Sequence, residues 1–285
     1  MQEIEPATTV PALLANLIAT RGKHDAIATV TETLSYEELE RCTSRMARAL
    51  LALGAGKGTR VALLAPGGIL WLTALLAGLR IGALVSLVST LCTPPELAHM
   101  LRSGDAQILL GVRRFLRHDY GKTLAAALPG LSEETAQALR LPSAPYLRSV
   151  WLDDAASLSW ARSIDDLLAY ADAPQAPDSV LLSAIEREVT PGEDAIIVYT
   201  SGSMSLPKAV VHTQWNVTRF PRELAKYFLL KADDRMMPHL PTFWLGGLGM
   251  TMQVLSVGAT LVYPLSPEID AVLRSEERRV GKECW

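Results

Sequence analysis

Cysteine is scarce in this chain. Cys42, Cys92 and Cys284 stand far apart among 285 residues. An odd, widely spaced set supplies neither a disulfide framework nor a zinc pattern, and a reducing, cytoplasmic setting is the simplest expectation. Charge is modest as well. Asp, Glu, Lys and Arg make up 20% of the chain, and the net charge is −3. No global basic field is present to attract nucleic acid, so no nucleic-acid partner is expected. Residues 1–6 carry Glu3 and Glu5, whereas a secretory leader needs positive charge followed by an apolar run. A long apolar run is missing too. Mean hydropathy is +0.20, and the most apolar stretch covers residues 61–92, but Pro66, Gly67, Gly68 and Arg80 interrupt it. The clean piece at 69–79 is too short to cross a bilayer, so a buried helix is expected there and no transmembrane segment. No internal repeat and no low-complexity tract occurs.

What is abundant is apolar side chain, at 49% of the sequence. That excludes a disordered protein and supports one large domain or two ordinary ones. Helical and strand-like segments alternate, which predicts an α/β fold with a largely parallel sheet. Residues 25–30 and 33–36 read as a short strand pair. Ser35-Tyr36-Glu37-Glu38 is a capping box opening a helix to about Leu53. Strands are expected at 60–64, 84–88, 107–110, 195–199 and 260–263, and helices at 69–81 and 248–255. Thr93-Pro94-Pro95-Glu96 is a second capping box, with proline at the first helical position. Residues 129–148 and 172–191 hold much of the proline and read mostly as loop. The 213–229 segment reads as helical with a break or restart at Pro221. A helix is expected to begin at 268–273.

The chemistry is concentrated after the 195–199 strand, in Tyr199-Thr200-Ser201-Gly202-Ser203-Met204-Ser205-Leu206-Pro207-Lys208-Ala209-Val210-Val211-His212. A loop of small hydroxyl residues and glycine presents backbone N–H groups and hydroxyls that can wrap a phosphate chain. Lys208 either adds a point charge for phosphate or ties the loop down. The pattern is not a Walker loop, because no G-x-x-x-x-G-K-[ST] is present. Elsewhere, His24, His99 and His118 have no partner spacing and are expected at the surface. Asp153-Asp154 and Asp165-Asp166 are adjacent carboxylates that point apart, expected as solvated faces rather than metal ligands.

The ordered set from Tyr199 to His212 resembles the signature of the acyl-CoA synthetase (AMP-binding, adenylate-forming) superfamily, Y-T-S-G-[ST]-T-G-x-P-K-G-V followed by a short stretch to His. Met204, Ser205 and Ala209 depart from it. Serine at 205 matters most, since glycine reaches positive φ at little cost. Thr33 to Leu39, Gly58 to Leu64, Arg80 to Val85 and Thr93 to Leu97 resemble earlier family segments in the expected order. Pro241-Thr242-Phe243-Trp244-Leu245-Gly246-Gly247-Leu248 is similar to a later one that often reads P-x-F-H-x-x-G-L. The resemblance implies the N-terminal part of the adenylate-forming fold, with layered, largely parallel sheets flanked by helices. It implies activation of a small carboxylic acid with ATP and Mg²⁺, then usually transfer to coenzyme A. Thr200, Ser201, Gly202, Ser203, Met204, Ser205 and Lys208 would bind nucleotide, with Trp244, Gly246 and Gly247 at the acyl pocket. A stand-alone adenylation domain serving a carrier protein, or a non-catalytic fold remnant, are the alternatives.

On the residues alone, a tryptophan such as Trp244 is more often core than ligand wall, His212 can be a core or helix-start residue, and Gly246 and Gly247 can be plain loop. The resemblance also implies an acidic Mg²⁺ ligand, a ribose-binding Asp, an Arg and a catalytic Lys after the Trp244 segment. None of their motifs occurs here, so the catalytic residues are expected beyond the chain end. Residues 11–273 are expected to be a partial adenylation domain. Residues 274–285 have no apolar face and resemble a translated adapter run, and a non-native or disordered tail is expected there.

Overall fold

The computed structural model describes residues 7–137, 139–200 and 206–264. The elements run α1 (Val10–Arg21), β1 (Asp25–Ala28), β2 (Thr33–Ser35), α2 (Tyr36–Ala52), β3 (Arg60–Leu64), α3 (Ile69–Arg80), β4 (Leu84–Leu87) and α4 (Pro94–Ser103). Next come β5 (Ile108–Gly111), β6 (Arg114–Phe115), β7 (His118–Asp119), α5 (Tyr120–Ala127), β8 (Ser149–Leu152), β9 (Arg162–Ser163), α6 (Ile164–Ala169) and α7 (Ser179–Arg187). The last are β10 (Asp194–Thr200), β11 (Lys208–Thr213), α8 (Gln214–Tyr227), β12 (Arg235–Met236), α9 (Leu245–Val257) and β13 (Thr260–Val262).

Seven strands form the main sheet in the order β11-β10-β4-β3-β5-β8-β9. Every neighbouring pair is parallel except β10 with β11. Strands β4 and β5 are buried along their whole length, which explains their unbroken apolar sequences: helices cover both faces of a parallel sheet. A second sheet has the order β12-β13-β1-β2. Residues 25–28 and 33–35 form the expected antiparallel pair in it.

Helix α3 is the apolar segment that raised the membrane question. It is buried from Trp71 to Arg80, and a Cβ added at Gly78 would lie 2.7 Å from Val85 Cγ2 on β4. A helix apolar all round belongs inside a large core. No helix among the described residues is long and apolar enough to cross a membrane. Both capping boxes form. The Ser35 N–H donates to Glu38 Oε2 at 2.8 Å, and the Thr93 N–H to Glu96 Oε2 at 2.7 Å. These bonds hold both carboxyls below the usual range.

Four expectations are corrected. The 172–191 stretch contains α7, capped by Asp178, whose Oδ1 accepts from the Leu181 N–H at 2.8 Å. Pro174 and Pro177 lie before the helix and Pro191 after it, and only Leu182 is buried, so the apolar period was faint. Helix α8 runs through Pro221 without a break. Val217, Thr218, Pro221, Arg222 and Ala225 make one buried face, and its packing outweighs the single hydrogen bond that proline removes. His99 is half-buried and bonded to the Pro207 carbonyl. His118 is half-buried too, stacked on Tyr120 at 6.1 Å. Helix α1 carried no sequence expectation. Thr9 Oγ1 caps it, and the Val10 N–H reaches Gln214 Oε1 at 3.0 Å. The expected helix at 268–273 and the 274–285 tail lie outside the described residues.

Candidate functional site

Strand β10 is buried from Ala195 to Tyr199 and emerges at Thr200. Strand β11 then returns antiparallel, with Thr200 paired to Lys208 and Tyr199 to Ala209. The Thr200–Lys208 pair is therefore the mouth of a hairpin, placed where β10 ends. Both residues are exposed, and Thr200 Oγ1 lies 3.4 Å from the Lys208 carbonyl. Ser201, Gly202, Ser203, Met204 and Ser205 lie outside the described residues. β10 runs parallel to β4, so the mouth sits at the carboxyl edge of the sheet, where open α/β sheets bind their ligands. His212 lies further along β11, paired with Ile196 and half-buried. Burial holds its imidazole below the usual range.

The same edge receives the second candidate segment. The turn after β3 brings Gly67 against Thr242 and Tyr263: an added Cβ would lie 2.8 Å from Thr242 Cγ2 and overlap the Tyr263 ring. Trp244 caps α9 with extended backbone. Its carbonyl accepts from the Leu248 N–H at 3.0 Å, and its own N–H reaches the Pro241 carbonyl at 3.0 Å. The ring packs edge-to-face on buried Phe243, with centroids 5.8 Å apart, yet stays 46% exposed. An exposed indole fixed at its backbone and on one ring edge has an apolar face left for a ligand.

The two glycines differ. Gly246 is exposed, and only the flexible Leu240 side chain crowds its Cβ position. Gly247 is buried, and a Cβ there would overlap the Pro241 carbonyl and lie 2.5 Å from the Leu240 oxygen. Its lack of a side chain thus has a packing cause. Gly247→Ala is expected to cost about 1–3 kcal/mol of stability. Gly249→Ala, with nothing within 4 Å, should be neutral or stabilising. Denaturant midpoints of the two variants check this.

Cavities do not single out this edge. One of about 310 Å³ lies beside it, lined by Glu32, Gly67, Ile69 and Tyr263. A larger one of about 410 Å³ lies at the opposite, amino-terminal ends of β5 and β8, among Gln107, Arg148, Ser149 and Arg162. We place the site by the strand ends, because the larger cavity touches none of the candidate residues. Among the described residues no three His, Cys, Asp or Glu side chains gather into a metal-binding group. Burial pushes the Cys92 thiol up to about 12 and raises Cys42 as well, so neither is poised as a thiolate nucleophile.

Comparison with known proteins decides the family. The model of the AMP-binding enzyme family matches residues 16–276. The chain belongs to the AMP-binding enzyme family. Over 259 residues it is 26% identical to the 3-hydroxybenzoate–CoA/4-hydroxybenzoate–CoA ligase of Thauera aromatica, covering 90% of this chain and 45% of that protein. It is also 26% identical to the L-proline–[L-prolyl-carrier protein] ligase of Pseudomonas fluorescens over 244 residues, 86% of this chain and 42% of that one. The chain thus spans less than half the length of these curated relatives. Among solved structures, apo MbtA of Mycobacterium smegmatis superposes with a TM-score of 0.77 at 22% identity, covering 97% of this chain and 47% of that one. The fold is that of the adenylate-forming enzymes, as the Tyr199–His212 signature implies.

Proposed function

We propose that this chain carries the ATP-phosphate hairpin and one wall of the acyl pocket of an AMP-dependent carboxylate–CoA ligase. The observation that carries the reading is the hairpin mouth: Thr200 and Lys208 face each other, exposed, at the sheet edge that also receives the Trp244 segment. A carboxylate is a poor electrophile. When its oxygen attacks the α-phosphorus of ATP, the bond to pyrophosphate breaks and an acyl-adenylate forms. A thiol then attacks the acyl carbon and AMP leaves. The protein's task is to hold two anions together and to screen the charge on the departing pyrophosphate. Lys208 supplies a cation and Thr200 a hydroxyl for that charge. Ser201 to Ser205 would add backbone N–H groups, and Trp244 an apolar wall for the acid. Mg²⁺, when bound, would neutralise phosphate charge, with ligands from outside the described residues.

This polypeptide by itself is proposed to be incomplete as a catalyst. Strand β11 is a sheet edge with Val210 and Val211 exposed, and Phe220, Phe228 and Leu229 on or just after α8 are exposed as well. An unprotected apolar edge is what a further strand or layer would cover. Purified chain mixed with ATP, Mg²⁺ and a panel of short, long and aromatic acids should release no acid-dependent pyrophosphate. Clear turnover would overturn the incompleteness. In a complete enzyme containing this region, Trp244→Ala should alter the acid profile more than the KM for ATP, and an unchanged profile would remove Trp244 from the pocket. The similarity to the prolyl-carrier-protein ligase keeps a second reading, an adenylation domain serving a carrier protein. Supplying coenzyme A and a phosphopantetheinylated carrier side by side separates the two.

A further inference from the structure

The mouth of the hairpin is held from outside by helix α4, through two consecutive residues. On the entering strand, the Tyr199 Oη donates to the Met100 carbonyl at 2.8 Å. Just before the returning strand, the Pro207 carbonyl lies 2.9 Å from His99 Nε2. These contacts join positions about a hundred residues apart in sequence. The Met100 carbonyl also accepts the Gly104 N–H at 3.0 Å at the end of α4, so the Tyr199 hydroxyl takes its second lone pair. Pro207 immediately precedes the Thr200–Lys208 pair that ends the β10–β11 register, so its carbonyl lies outside the ladder. Tyr199 is buried, which pushes its phenol above the usual tyrosine range, and it remains the neutral donor. Room for it depends on Gly104, where a Cβ would lie 2.7 Å from the Tyr199 Oη.

We propose that His99 is a positioning residue for the nucleotide site: its Nε2–H fixes the Pro207 carbonyl and thereby sets where Lys208 projects at the hairpin mouth. Tyr199 alone fixes only β10. Among the described residues, the start of the returning strand is otherwise tied by the Thr200–Lys208 pair, on the edge of the sheet. The role requires one N–H donor at the reach of Nε2, a requirement that glutamine meets and leucine does not. The proposal rests on the reading of Thr200 and Lys208 as phosphate ligands, and its test separates the two.

The experiment uses the full 285-residue chain as wild type, His99→Leu and His99→Gln. Melting curves and near-ultraviolet circular dichroism confirm that each is folded. Amide deuterium exchange at Leu206 and at residues 208–210 is measured without ligand, and binding of inorganic pyrophosphate and of ATP is measured by titration. The proposal expects His99→Leu to speed exchange at these amides and to weaken pyrophosphate and ATP binding, each by about tenfold, the loss of roughly one hydrogen bond. His99→Gln should restore both. Unchanged exchange in His99→Leu overturns the clamp. Faster exchange with unchanged binding overturns the positioning role. A wild type that binds neither ligand overturns the phosphate reading and the functional role of His99 with it, while the exchange data still report whether the mechanical tie exists.

Discussion

Replacing Arg80 by methionine is expected to cost about 3–5 kcal/mol of folding stability, the usual loss when one partner of a buried ion pair is removed. The Arg80 side chain is 5% exposed. Its two terminal nitrogens bind both oxygens of Glu40, at 2.7 and 2.8 Å, and one of them also reaches Thr43 Oγ1 at 2.8 Å. Its Nε bonds Glu186. One guanidinium thus ties α2, α3 and α7 together. Methionine would fill much of the space but leave two carboxylates facing an apolar core. The deficit should also depend on pH. Burial already pushes the Glu40 carboxyl up, with Arg80 opposing it, so removing Arg80 raises it further. A carboxyl raised on folding favours the native state below its unfolded value of about 4.3 and loses that contribution as pH rises through the folded value. The variant should therefore recover stability on acidification toward pH 5. Denaturant melts of both proteins between pH 5 and 8 check this, and a constant gap would show that Glu40 does not carry the penalty.

Arg80 also shows what sequence reading can and cannot reach. As a charge inside an apolar run it argued against a membrane span. Its partners Glu40 and Glu186 stand 40 and 106 residues away, and nothing local points to them. Elements whose signals are local were legible. The capping boxes at Ser35 and Thr93, the parallel strands, and helix α3 appear at or within a few residues of their expected bounds. Helix α7 and the unbroken α8 were not, because tertiary packing of Leu182 and of the Pro221 face decides them. At the site, the motif from Tyr199 to Lys208 carried the family. It could not show that Lys208 faces Thr200 across a hairpin. It gave no hint of His99, whose spacing from any other candidate is uninformative and whose partner is a backbone carbonyl. The Gly247 contact with Pro241 was equally hidden, since close backbone approach leaves no mark beyond the glycine itself.

Lys208→Ala is expected to weaken pyrophosphate and ATP binding by about 10- to 100-fold, the range for a hydrogen bond to a charged group, about 1.5–3 kcal/mol. Stability should barely change, because Lys208 is exposed and stands at the end of the β10–β11 ladder. Lys208→Arg keeps the charge but replaces a compact ammonium with a planar fork, and should recover only part of the affinity. A loss of binding accompanied by an equal loss of stability would instead mark Lys208 as a structural tie of the hairpin. Equilibrium titrations and melts on the same samples separate these outcomes.

The central claim is that the exposed mouth at Thr200 and Lys208 holds the phosphate chain of ATP. The most direct measurement titrates the 285-residue chain with ATP, pyrophosphate and AMP in parallel, at one ionic strength. The account predicts that ATP and pyrophosphate bind, that AMP binds at least about tenfold more weakly because it lacks the phosphates Lys208 would contact, and that Lys208→Ala narrows the difference. AMP binding as tightly as ATP, or a preference for ATP undiminished by Lys208→Ala, would contradict it.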